Sequence, residues 1–193
     1  MITEEIEQQE LDICRQTTIR LMKGTRYGSN RPAWAHAQDV AEAVSPYGWI
    51  HPEGWRFWVC VGWLHDILED CEGVTDETLA HELVSSGVLP FRATELVCLV
   101  RILTKEKGET ESYFQRIRDC GHWQLSLIKI LDRIANLREG SRVFPRKRWI
   151  AYVDETKQHV VPLIANVDAN LCERLMLELA YAMVDRPRGG RTR

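Results

Sequence analysis

A chain of 193 residues and 22.4 kDa, 45% apolar and 27% charged, suits one compact domain with a single core and leaves little room for two. Its 25 Lys and Arg against 28 Asp and Glu give a formal charge of −3, whereas a sequence-independent DNA or membrane binder carries a basic excess. No DNA or membrane partner is expected, and an anionic ligand must meet a local basic patch. The longest apolar run reaches only from Phe57 to Leu64, short of the roughly 18 residues of a spanning helix. The start, Met1-Ile2-Thr3-Glu4-Glu5, lacks the basic opening and apolar centre of a secretory signal. A cytoplasmic protein is expected, and its 6 cysteines, with no Cys-x-x-Cys among them, read as free thiols.

Helical periodicity begins at once. Ile6, Leu11, Ile13, Cys14, Thr17, Leu21 and Met22 predict a first helix over Glu4 to Met22, stopped by Gly24. The Gly- and Asn-bearing stretch from Gly24 to Pro32 reads as a loop, and Trp34 to Val44 as the second helix. Ser45-Pro46-Tyr47-Gly48 breaks it. Pro52 then opens a third helix expected to run to about Asp70, apolar nearly all round and so central and buried. Cys60 in this helix and Cys98 in a later one read as small buried hydrophobes. Further helices are expected over Thr78 to Val84, Phe91 to Leu103, Ser112 to Arg118, Gln124 to Leu137, Arg148 to Val161 and Asp168 to Val184, with Gly87, Pro90, Gly108, Gly121, Gly140, Pro145 and Pro162 between them. No segment alternates with a two-residue period, so the fold class is all-α, one domain over 1–185. The basic remainder, 186–193, reads as a disordered tail, with phosphate or RNA contact as the lesser reading.

The chemistry concentrates at the end of the third helix. His65 and Glu69, Asp66 and Asp70, and Asp66 and Glu69 stand three or four residues apart, so these side chains crowd together at a helix C-terminus, where negative partial charge already collects. A divalent cation would resolve that conflict. His36, His65, Asp66 and Asp132, drawn from three helices, form a mixed nitrogen and oxygen set that leaves open positions on a six-coordinate ion. Such a set suits Mn²⁺, Fe²⁺ or another first-row metal and metal-assisted hydrolysis. Glu69 and Asp70, close by, could orient and deprotonate water.

Arg26 to Ala41, with Pro32 four before His36; Gly62-Trp63-Leu64-His65-Asp66-Ile67-Leu68-Glu69-Asp70; Leu103-Thr104-Lys105 and Tyr113; and Ile128 to Arg138, including Asp132 and Asn136, succeed one another in an order that resembles the HD-domain phosphohydrolases. Within them the chain is similar to the hydrolase domain of the RelA/SpoT family and its small stand-alone alarmone hydrolases. The resemblance spans about residues 15 to 182 and implies an all-α HD bundle. It implies that His36, His65, Asp66 and Asp132 hold one Mn²⁺, that Glu69 and Asp70 activate the water, that Arg26 stacks on the nucleotide base and that Asn136 faces the nucleoside. The implied reaction releases pyrophosphate from the 3′ position of guanosine tetra- or pentaphosphate, leaving GDP or GTP. Two departures stand out: Tyr27 falls where the family has lysine, in a loop one residue longer, and Cys71-Glu72-Gly73 comes after the motif where threonine is usual.

Competing readings keep the site and change the substrate to a nucleoside 5′-monophosphate or another small phosphate ester, or make the chain a nucleotide-binding module without turnover. Intact ligands together with both water-activating carboxylates argue against a pure binder. The oligomeric state is open. His51, His81, His122 and His159 lack a carboxylate at a suggestive spacing, and Trp55, Trp58 and Trp63 read as core, with Trp34 beside the loop as an exception. Arg146-Lys147-Arg148, with Arg138 and Arg142, is a candidate phosphate-collecting patch.

Overall fold

The computed structural model describes residues 4–26, 30–49 and 54–184. The tail, His51 and Pro52, and the loop residues Tyr27, Gly28 and Ser29 lie outside them. Among the described residues the fold is all-α, as the periodicity predicts, with a single isolated backbone bridge between Thr25 and Pro32. No helix there is long and apolar enough to cross a membrane.

The helices, in order, are α1 (Glu4–Leu21), α2 (Ala35–Val44), α3 (Trp55–Leu64), α4 (Ile67–Asp70), α5 (Asp76–Ser85), α6 (Pro90–Leu103), α7 (Glu111–Asp119), α8 (Trp123–Val143), α9 (Arg146–Glu155) and α10 (Ala169–Val184). α3 is the centre. Phe57, Val59, Cys60, Val61, Trp63 and Leu64 are all buried on it, with α1 on one side and α2 on another. Gly62 makes the α2 contact close, because a Cβ there would lie 3.1 Å from the Ala41 Cα. That approach carries His36, on α2, toward His65 at the end of α3. Thr18 of α1 fixes the same end: its buried hydroxyl lies 2.9 Å from the carbonyls of both Cys14 and Trp63.

The expected third helix does not run through to Asp70. The His65 side chain donates from Nδ1 to the Gly62 carbonyl at 2.7 Å, taking the acceptor that the Asp66 backbone N–H would use in a continuing helix. The chain turns at Asp66, whose carbonyl then starts α4 by accepting from the N–H groups of Glu69 and Asp70. Helix α8 departs from expectation in the opposite sense, running through Gly140 to Val143. Gly140 is a contact residue: a methyl group there would overlap the buried Trp149 ring, whose Nε1 is held by the Ala182 carbonyl at 3.1 Å. Gly140→Ala should therefore cost about 1–3 kcal/mol and lower Tm by several degrees in a calorimetric scan; an unchanged Tm would show that Trp149 can step aside.

The expected helix from Arg148 to Val161 stops at Glu155 and passes into a π-type turn, Thr156–Val160, and a 3₁₀ turn, Val161–Asn166. Arg133 explains the widening, since its buried guanidinium bonds to the Tyr152 carbonyl at 3.3 Å and the Thr156 hydroxyl at 2.9 Å. All 6 cysteines are free, but Cys98 is exposed on the outer face of α6, unlike Cys60. The helical period puts Leu96, Val97, Leu99 and Val100 inward and position 98 outward.

Candidate metal and phosphate site

Four side chains converge where α2, the α3–α4 turn and α8 meet. His36, His65, Asp66 and Asp132 each offer a donor atom, all within 4.8 Å of one another. His36 Nε2 lies 2.8 Å from Asp132 Oδ1 and 3.7 Å from Asp66 Oδ2, and His65 Nε2 lies 3.1 Å from Asp66 Oδ1. His36, His65 and Asp132 are buried and Asp66 is partly open. His65 has its Nδ1–H committed to Gly62, which turns the Nε2 lone pair into the cluster; that buried atom has no hydrogen-bond partner among the described residues. A buried, unsatisfied imidazole nitrogen facing two carboxylates is the geometry of a metal ligand oriented by its backbone partner. The four residues fit a divalent cation.

The electrostatics divide the carboxylates into two kinds. Burial pushes Asp132 up, but Lys129 and His36 outweigh it and hold the acid well below its ordinary range; Asp66 is likewise lowered, burial being outweighed by His65. Glu69 and Asp70 go the other way. Burial, reinforced by the Asp66 charge, raises Glu69 and lifts Asp70 to about 6. Carboxylates kept ionised beside cations suit ligation, and carboxylates raised toward neutrality suit proton transfer. For His65, burial alone would depress the imidazole, yet Asp66 and Asp132 reverse that and raise it to about 9, so a positive charge is favoured where the four donors meet.

Asp66 and Asp132 of the cluster line a cavity of about 560 Å³, together with six cationic side chains, Lys23, Arg26, Lys105, Lys129, Arg133 and Arg148, and four further carboxylates. Cations and carboxylates balance in number there, so the expected basic patch is not a net positive surface but a set of cations interleaved with acids. Asp132, Asn136 and Glu139 run along α8 at helical spacing into this cavity. Asn136 donates from Nδ2 to Asp132 and accepts from Arg26 through Oδ1, and Arg26 Nε lies 2.9 Å from Glu139 Oε2. Arg26 is placed by the backbone, its N–H bonding to the Arg31 carbonyl at 3.0 Å.

Several residues here stood in the stretches that carry the resemblance but were given no role by it. Lys129 sits three before Asp132 and its Nζ lies 2.7 Å from Asp132 Oδ2. A lysine inside the apolar run Leu125 to Leu131 was the available signal. The Lys105 backbone N–H donates to Glu69 Oε2 at 3.2 Å, while its ammonium pairs with Glu155, which Arg133 also holds at 2.7 Å. Arg133 stacks over Tyr152, its Cζ 3.9 Å from the ring centre.

The expected phosphate patch shrinks to one member: of its residues Arg148 lines the cavity, Arg138 turns away to Glu178 at 2.7 Å, and the Arg142 side chain lies outside the described residues. Trp34, Trp55, Trp58 and Trp63 pack on the core. His159 does have a carboxylate, Glu111 at 3.3 Å, brought across from α7 by tertiary packing, and it stacks on Phe114 away from the cavity. His122 lies against Trp58, and His81 lies within 3.4 Å of the Ser85 hydroxyl.

No family model and no curated protein matches the sequence. Among solved structures, the fold is similar to one described as a metazoan ortholog of SpoT that hydrolyzes ppGpp and plays a role in starvation responses. The two superpose with a TM-score of 0.67 over 89% of this chain and 94% of that one, at 21% identity. The chain thus shares the all-α fold of that structure, with Asp66 and Asp132 of its His and Asp cluster lining the cavity.

Proposed function

We propose that this protein is a metal-dependent phosphohydrolase that releases pyrophosphate from the 3′ position of guanosine tetra- or pentaphosphate. The observation that carries the reading is the convergence of His36, His65, Asp66 and Asp132, with donor atoms within 4.8 Å of one another, beside a cavity that Glu69, Asp70 and six cationic side chains line. His36, His65, Asp66 and Asp132 hold the cation, Mn²⁺ in this reading. When bound, the ion supplies Lewis-acid polarisation of the phosphoryl group under attack. Glu69, fixed by the Lys105 N–H, takes the proton of the attacking water, and Asp70 helps to orient that water. Lys105, Lys129 and Arg148 offset charge that develops on the phosphate oxygens. Asn136 faces the nucleoside.

Arg26 stacks on the base in this reading. Its guanidinium is held by Glu139 and Asn136 before substrate arrives, so little side-chain freedom is lost on binding. A stacked arginine contributes on the order of 1 kcal/mol in ground and transition states alike. Arg26→Ala should raise KM several-fold with a smaller effect on kcat, read from initial rates; an unaltered KM for every hydrolysed nucleotide would move base recognition elsewhere.

The deciding experiment strips the metal, restores Mn²⁺ and offers a panel of 3′-pyrophosphorylated nucleotides and nucleoside 5′-monophosphates. Pyrophosphate release supports the proposal. Orthophosphate release from monophosphates replaces it with a nucleotidase, and tight binding without product replaces it with a binding module.

A further inference from the structure

Helix α6 ends at Leu103, and side chains supply donors to the carbonyls that its last turn leaves open. The Thr104 hydroxyl bonds back to the Val100 carbonyl at 2.9 Å, the Tyr113 hydroxyl donates to the Leu103 carbonyl at 2.8 Å, and Arg116 reaches across from α7 to two more. Its Nε lies 3.4 Å from the Ile102 oxygen, and one terminal nitrogen lies 2.9 Å from the Thr104 oxygen. Glu109 presets this fork. Its carboxylate accepts from both terminal nitrogens of Arg116, at 2.6 and 3.1 Å, and the guanidinium lies 5.6 Å from the centre of the buried Tyr113 ring. Arg116 stands outside the cavity lining.

The Thr104 carbonyl and the Lys105 N–H are the two ends of one peptide group. No cis peptide bond occurs among the described residues, so this group is a planar plate whose oxygen and hydrogen point in opposite directions. In a continuing helix that N–H would bond to the Arg101 carbonyl. Thr104 instead leaves the helical conformation, with φ −78° and ψ 121°, and the plate swings out so that its N–H meets Glu69 Oε2 at 3.2 Å. Arg116 therefore grips one side of the plate that holds Glu69 from the other.

We propose that Arg116 is a positioning residue for Glu69, acting through the Thr104–Lys105 peptide. The proposal rests on the reading of Glu69 as the base that takes a proton from water. A glutamate side chain has several free torsions, so a single backbone donor can fix its carboxylate only if that donor is itself fixed. Arg116 fixes it at the carbonyl. Charged donation into that oxygen also polarises the peptide, which strengthens the bond its N–H makes to a carboxylate. Glu155 holds the Lys105 ammonium, but through a flexible four-carbon stem that leaves the peptide plane free to turn.

Two measurements on the full chain test this. Nitrogen-15 NMR of the metal-free protein follows the Lys105 amide, whose proton should move upfield and exchange with water several-fold faster in Arg116→Met. Kinetics after Mn²⁺ is restored should show kcat lowered about tenfold in that variant with KM little changed, the scale of one weakened bond to a charged group. The loss should vanish when Arg116→Met is added to Glu69→Gln, where no base remains to be positioned. Arg116→Lys keeps the charge and one donor but not the fork, so it should fall between, and it carries the test if the methionine variant does not fold. An unmoved Lys105 amide overturns the proposal. So does an equal loss of kcat with and without Glu69→Gln, which is the mark of a helix cap that only stabilises the fold. A wild-type chain that hydrolyses no nucleotide overturns the reading of Glu69 as base, and with it this role for Arg116; that failure is recognised because the NMR change in Arg116→Met would persist without any turnover to lose.

Discussion

Asp132→Ala should abolish turnover, lower bound metal and, beyond what a lost ligand implies, destabilise the fold. From the sequence alone, this change removes a ligand from an otherwise self-supporting bundle and leaves a folded protein. The structure adds Lys129, partly buried on the cavity wall with its Nζ 2.7 Å from Asp132 Oδ2. Removing the carboxylate leaves that ammonium without its partner, a loss of about 1–3 kcal/mol for a hydrogen-bonded charge. At roughly 2–4 °C per kcal/mol for a chain of this size, Tm should fall by about 5 °C. The double change Lys129→Met with Asp132→Ala should recover much of that loss in a thermal melt while metal content and activity stay low. Full activity with normal metal in Asp132→Ala would remove Asp132 from the ligand set, and an unaltered Tm would show that water reaches Lys129.

Glu69→Gln should lower kcat by about 10² or more while metal stays bound, in line with the usual contribution of a general base. The amide keeps an oxygen that can accept the Lys105 N–H now bonded to the carboxylate, so the local geometry has reason to persist. Metal analysis of the purified variant beside its rate separates the roles. Joint loss of metal and rate would make Glu69 a ligand, and an undiminished rate would move proton transfer to Asp70, which burial and Asp66 lift to about 6.

The sequence by itself determined the features that local periodicity and residue type control: the all-α class, most helix positions and the central place of α3. It also singled out the crowd of carboxylates after His65 as a conflict that asks for a cation, because charge repulsion between neighbours three and four apart is a property of the chain alone. Its errors in helix boundaries were of one kind. The helix over Pro52 to Asp70 breaks at His65 because a side chain takes a backbone acceptor, and the helix after Arg148 widens because Arg133 reaches in from α8. Neither competitor is visible in a pattern of apolar and polar letters. The same holds for Gly140, which reads as a helix stop until Trp149 is seen against it. Only the tertiary structure brought His36 to His65 through the close α2–α3 contact at Gly62. It also set Lys129 and Lys105 around the cluster, and it divided four similar carboxylates into two held ionised and two raised. Those outcomes depend on distances between segments far apart in the chain and on exclusion of water, and burial exists only once the helices have packed.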